Sequence, residues 1–160
     1  MLLTHVRATR APRHAPPALP LQPPEPGAGL LDRLGAVEDE DHILVLGGAG
    51  PDLMCALLRA GAAQVTHLRS FERPEADNVS LVIVPQVPSL DWLATALPRI
   101  RRALMVNGRV AICIDNLPTI QNAVRRMLSL HGFTAIRASD GAGRLVLRAE
   151  VPAFGIRRCA

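Results

Sequence analysis

The sequence predicts an α/β fold, a three-layer sandwich whose mostly parallel sheet lies between helices and finishes in a C-terminal antiparallel hairpin. Three observations predict it. The runs Ile43-Leu44-Val45-Leu46 and Leu81-Val82-Ile83-Val84 are continuously apolar rather than alternating, as in strands buried on both faces. Segments with helical spacing of apolar residues separate such runs, which is the pattern of a sheet covered by crossover helices. The last two strand-like segments are joined by only Asp140-Gly141-Ala142-Gly143. So short a link excludes a parallel return and leaves an antiparallel hairpin.

Taken in order, residues 30–37 read as a short helix leading into the strand at 43–46. Gly47-Gly48-Ala49-Gly50 ends that strand. Pro51 then suits the first helical position and Asp52 the positive end of the helix dipole, with Leu53, Leu57 and Ala60 on one face and Gly61 as the stop. Residues 65–68 form a second strand and 81–84 a third. Ser89 caps a helix whose core face is Leu93, Leu97, Ile100 and Leu104. Pro98 interrupts this helix, so a kink or two short helices are expected there. Asn107-Gly108 reads as a turn before the strand at 110–114. A helix from Pro118 carries Ile120, Val124, Met127 and Leu128 on one side and ends at Gly132. Residues 133–139 and 144–150 make the hairpin.

The chain has 160 residues, 49% of them hydrophobic and 20% charged, with a mean hydropathy of +0.20. That supports one packed domain and excludes a wholly disordered chain. Its apolar runs are far shorter than the ~20 residues of a membrane span. The net charge is +4 and all eighteen basic residues are Arg. From residue 30 to 152, thirteen Arg balance thirteen Asp and Glu, and the excess comes from Arg7, Arg10, Arg13, Arg157 and Arg158 against Glu25. The basicity belongs to the ends of the chain. With only Phe71, Trp92, Phe133 and Phe154 as aromatic platforms, the composition speaks against nucleic-acid binding by the folded part.

Residues 1–28 hold seven of the fourteen prolines, which delete backbone donors and restrict their neighbours, so they read as a flexible Pro/Arg-rich arm. Residues 29–152 are the domain and 153–160 a short tail. Cys55, Cys113 and Cys159 make no CxxC pair and the His residues do not cluster, so neither a disulfide framework nor a metal site is expected. Cys55 and Cys113 read as small buried hydrophobes, and the compartment as a reducing cytoplasm. Asp39, Glu40 and Asp41 read as a solvated lead into the first strand, and Arg99, Arg101, Arg102, Arg125 and Arg126 as solvated helix faces.

A strand that ends in glycines at a helix start offers backbone donors and a positive dipole end to a ligand. Residues 41–50, Asp-His-Ile-Leu-Val-Leu-Gly-Gly-Ala-Gly, with the strand and loop Leu81-Val82-Ile83-Val84-Pro85-Gln86-Val87, the segments Arg101-Arg102-Ala103-Leu104 and Asn107-Gly108-Arg109-Val110, and His131-Gly132-Phe133 before the hairpin, resemble the class I S-adenosylmethionine-dependent methyltransferases, a Rossmann-like family. The resemblance covers roughly residues 41–150. It implies that Gly47, Gly48, Ala49 and Gly50 approach the amino-acid part of S-adenosylmethionine and that Pro85 and Gln86 border its methyl group. Where the family places an acid for the ribose hydroxyls, this chain reads Leu68-Arg69-Ser70. A guanidinium has no acceptor, and the nearest carboxylates are Glu72 and Glu75. Val79-Ser80 likewise stands where the family has an acid before the third strand. The stretch between the second and third strands is too short for the helix and strand that the family inserts.

Three functions stay open on these residues. The first is a small methyltransferase acting on a small-molecule or protein acceptor, where alignment rather than a base supplies the catalysis. His67 and Asp115 are its candidate bases by location. The second is a non-catalytic methyltransferase-like domain, an interaction or structural module that forms homo-oligomers through an exposed edge. The third is a nucleotide or NADP-binding protein, in which Arg69 meets a 2′-phosphate. Against it, Leu53 stands where the final glycine of that fingerprint is expected.

Overall fold

In a computed structural model, residues 37–38, 40–48, 51–68, 78–115, 117–141 and 144–153 are described. The expected arm at 1–28, the lead-in helix apart from Val37, and nearly all of the tail lie outside them.

Six strands form one mixed sheet: β1 (His42–Leu46), β2 (Gln64–Leu68), β3 (Val79–Val84), β4 (Leu104–Asp115), β5 (Thr134–Gly141) and β6 (Arg144–Glu150). Their spatial order is β2-β1-β3-β4-β6-β5. The first four are parallel, and β6 runs antiparallel between β4 and β5. Three helices complete the described chain: α1 (Pro51–Arg59), α2 (Leu90–Ala103) and α3 (Pro118–Leu130). The strand pleat sorts the core into two sets. Ile43, Val45, Leu81, Ile83, Ala111 and Cys113 pack with Leu53 and Leu57 of α1. Leu44, Val82, Val84, Val110, Ile112 and Leu147 pack on the opposite face with Leu93, Leu97 and Ile100 of α2 and Val124 and Leu128 of α3. The expected sandwich and hairpin are therefore present.

Several local expectations change. Helix α2 is one continuous helix through Pro98 rather than two short ones. Its Ser89 hydroxyl accepts from the Trp92 backbone N–H, and Pro98 stands on the exposed side. Leu104 is buried as expected, but as the first residue of β4. Residues 107–108 do turn, with Asn107 at φ 63°, yet they do so inside β4. Val79 pairs with Leu104 and Leu81 with Arg109, so two steps along β3 match five along β4 and the surplus bulges outward. On α1, Leu53 and Leu57 are buried whereas Ala60 is exposed. Cys113 is buried, but Cys55 is exposed, because it lies two residues from both members of the buried stripe, on the other face of the helix.

Asp41 departs most from expectation. It is 4% exposed and not part of a solvated lead. Ser80 Oγ donates to its Oδ1 at 2.7 Å, the Glu38 backbone N–H to Oδ2 at 2.8 Å, and Arg109 Nη2 to Oδ2 at 2.6 Å. Burial raises the pKa of such a carboxyl, but the Ser80 and Glu38 hydrogen bonds and the Arg109 charge outweigh it and hold it below the ordinary value. Arg109 also meets Glu38 at 3.2 Å. The cluster ties the starts of β1, β3 and the lower half of β4 together, at the end of the sheet opposite the glycine turn.

Candidate functional site

Because β1, β3 and β4 are parallel neighbours, their C-terminal ends open on one side of the molecule. In open α/β sheets this is where ligands bind. Gly47 follows β1 at φ 96°, a conformation that disfavours any side chain. Its N–H donates to Leu68 O at 3.0 Å, and its carbonyl accepts from His67 Nε2 at 2.7 Å. That bond places the imidazole proton on Nε2. The glycine turn is thereby pinned to the end of β2. A Cβ built on Gly47 would lie 3.8 Å from the Gln86 carbonyl oxygen, so the loops after β1 and β3 touch. Gly48 is exposed, and a Cβ there would meet nothing within 4 Å. It leaves open space beside the start of α1.

Pro85 is half-buried and Gln86 exposed, both directly after β3. Gln86 also lines a cavity of about 170 Å³ with Val87, Leu90, Ile114, Asp115, Ile120 and Arg144. Its floor is the end of β4, and Ile120 comes from the first turns of α3. Asp115 and Arg144 are paired across β4 and β6, placing opposite charges at its mouth. Ligand pockets usually measure ~300–1,000 Å³. This one admits a fragment, and anything larger must extend over Gly47 and Gly48.

The structure thus brings Gly47, Gly48, Pro85 and Gln86 to one side of the sheet. Ala49, Gly50 and Arg69, with Glu72 and Glu75, lie outside the described residues. His67 is half-buried and bonded to the turn, whereas Asp115 is exposed at the cavity. Ile120 reads in the sequence only as part of a helix face, and Arg144 was not singled out. The signal for Arg144 is the hairpin register, which only becomes usable once β6 is known to pair with β4. Among the described residues no group of three or more His, Cys, Asp or Glu side chains could hold a metal ion. No described helix is long and apolar enough to cross a membrane.

The fold is that of the class I S-adenosylmethionine-dependent methyltransferases. The chain is similar to the apo S-adenosylmethionine-dependent methyltransferase SibL, with TM-score 0.56 and 14% identity over 71% of this chain and 51% of that one. It is also similar to human N-acetylserotonin methyltransferase in complex with SAM, with TM-score 0.55 and 13% identity over 69% of this chain and 47% of that one. Burkholderia thailandensis 1,6-didemethyltoxoflavin-N1-methyltransferase, bound to 1,6-didemethyltoxoflavin and S-adenosylhomocysteine, gives TM-score 0.55 and 16% identity over 79% of this chain and 76% of that one. The chain spans about half the length of the first two of the structures it matches. No protein-family model and no curated protein matches its sequence.

Proposed function

We propose that the chain binds S-adenosylmethionine at the C-terminal ends of β1 and β3 and serves methyl transfer to a small-molecule or protein acceptor. The observation that carries this reading is the touching pair of loops, with Gly47 at positive φ beside the Gln86 carbonyl and Gly48 facing open space. The residues present suit the methionine end of the cofactor: glycine lets the backbone approach, and the start of α1 offers amide donors. The ribose end is carried by the stretch containing Arg69, which supplies no acceptor. When bound, the cofactor supplies an already activated methyl group, so the protein needs mainly to orient and to exclude water. In this reading Pro85 and Gln86 border the methyl group. The cavity beyond them takes the acceptor, and Asp115 is the nearest group able to accept a proton there.

Calorimetric titration with S-adenosylmethionine and S-adenosylhomocysteine tests this reading. Binding is expected in wild type and lost in Gly48→Val, which fills the open space while leaving the core untouched. Absence of heat and of a thermal shift at millimolar ligand overturns it, as does binding that survives the substitution.

A second reading, a non-catalytic interaction module, draws support from the same Arg69 and from the ten residues, 69–78, between β2 and β3. Among the described residues β2 is then an edge strand, open to a second copy of the chain. Failure of both ligands to bind together with a dimer in analytical ultracentrifugation favours it. NADP binding instead would return the third reading, with Arg69 on a 2′-phosphate. The arm at 1–28 and the tail stay outside this function, and a reducing cytoplasm is the compartment that the exposed thiol of Cys55 suits.

A further inference from the structure

On the α1 side of the sheet, arginines of β4, β6 and β5 flank the buried Ala111, Cys113 and Val146. Arg109, Arg148 and Arg137 come from three adjacent strands and line a cavity of about 190 Å³ whose other walls include Leu81, Ala111, Glu38 and Glu150. Arg137 and Arg148 are directly opposed in the β5–β6 register. Like charges so placed repel each other. Arg109 is occupied by Asp41 at 2.6 Å and Glu38 at 3.2 Å. Neither Arg137 nor Arg148 makes an ion pair among the described residues. Arg148 donates through Nη2 to Ser139 Oγ at 2.8 Å, which fixes the guanidinium, while its Nε is fully buried with no partner among the described residues. Three guanidinium groups therefore share the cavity with the carboxylates of Glu38 and Glu150, and Glu38 is the one that meets Arg109.

We propose that Arg137 and Arg148 form a binding site for a phosphate group, free or carried by a small molecule. A phosphate dianion between the two guanidinium groups would turn the Arg–Arg repulsion into a shared clamp. The cavity exceeds the ~30 Å³ share of one water molecule several-fold, which gives room for an anion of that size. Arg148 is level with Ala111, Ile83 and Val45 and three strands from β1, so this site lies on the order of 15 Å from the glycine turn. It is independent of methyl transfer.

The test titrates the full chain with inorganic phosphate, and separately with glycerol phosphate, against sodium chloride of equal ionic strength. Thermal shift and calorimetry are the readouts. Phosphate is expected to raise Tm where chloride does not. Arg137→Gln, at an exposed edge-strand position, weakens binding on the order of tenfold or more, and Arg148→Gln does likewise. Arg126→Gln, on the exposed side of α3, and Gly48→Val leave it unchanged. A stronger response to glycerol phosphate than to inorganic phosphate assigns the site to a phosphorylated small molecule, and the reverse to the free ion; either outcome supports it. No phosphate-specific shift, or an equal shift in Arg137→Gln, overturns the proposal.

Discussion

With its carboxylate buried and held by Ser80, the Glu38 N–H and Arg109, Asp41 has a pKa below that of the unfolded chain. A depressed carboxyl contributes stability that is complete above its unfolded value and lost as pH falls through its folded one. Wild-type Tm is expected to hold above about pH 5 and to fall below about pH 4. Asp41→Asn removes the carboxylate charge that Arg109 meets at 2.6 Å and costs about 3 kcal/mol at neutral pH. Circular dichroism melts of both proteins from acid to neutral pH check this: the gap should narrow on acidification, and a constant gap contradicts it. His67 acts at the other end of the sheet, through its hydrogen bond to the Gly47 carbonyl. His67→Leu removes that bond and is expected to weaken S-adenosylhomocysteine binding several-fold, with His67→Gln restoring most of it, as read by calorimetry. The two residues differ in how legible they are. The glycine turn is local chemistry, so Gly47 and Gly48 stand out in a sequence. Asp41 ends a run of four acids, Glu38 to Asp41, and its cationic partner is 68 residues away, so nothing near it distinguishes a buried anchor from a solvated charge.

The elements were legible wherever apolar spacing and turn chemistry agreed, as in β1, β3, α3 and the hairpin. Pro98 shows where one local rule yields to packing. A proline inside a helix costs ~3 kcal/mol through its lost donor and ring clash. Leu93, Leu97 and Ile100 lie on both sides of it and are 0–1% exposed, and each such side chain contributes ~1.5–3 kcal/mol on burial. Keeping one continuous helix therefore wins. The bulge in β4 was hidden for a different reason. Asn-Gly signals a turn but cannot tell whether the pairing resumes in the same strand. The answer lies in register with β3. Gly108 is the tightest point of that bulge, since a Cβ on it would lie 2.8 Å from the Met105 carbonyl oxygen and 2.9 Å from Leu104 Cδ2. A backbone oxygen cannot step aside without moving the strand. Gly108→Ala is expected to cost about 1–3 kcal/mol, seen as a lower urea midpoint with an unchanged m-value. A neutral result would mean that the bulge is loose.

At the scale of the whole molecule, charge and fold separate along the chain. Thirteen Arg and thirteen acids cancel within residues 30–152, while residues 1–28 contribute Arg7, Arg10 and Arg13 against Glu25. Among the described residues every buried core side chain lies between Ile43 and Val151; we propose that the arm adds charge without adding to the core. Deleting residues 1–28 removes three positive charges and one negative, lowering the net charge from +4 to +2. The shortened chain is expected to unfold within about 2 °C of the full one, because no apolar contact worth ~1 kcal/mol would be lost. It should also leave heparin at lower salt, because each arginine withdrawn from a polyanion contact reduces the counterion release that drives binding. A fall in Tm of about 5 °C or more would place part of the arm against the domain. Equal salt elution of the two chains would move the anion-binding surface onto the folded part, where Arg137 and Arg148 share their cavity.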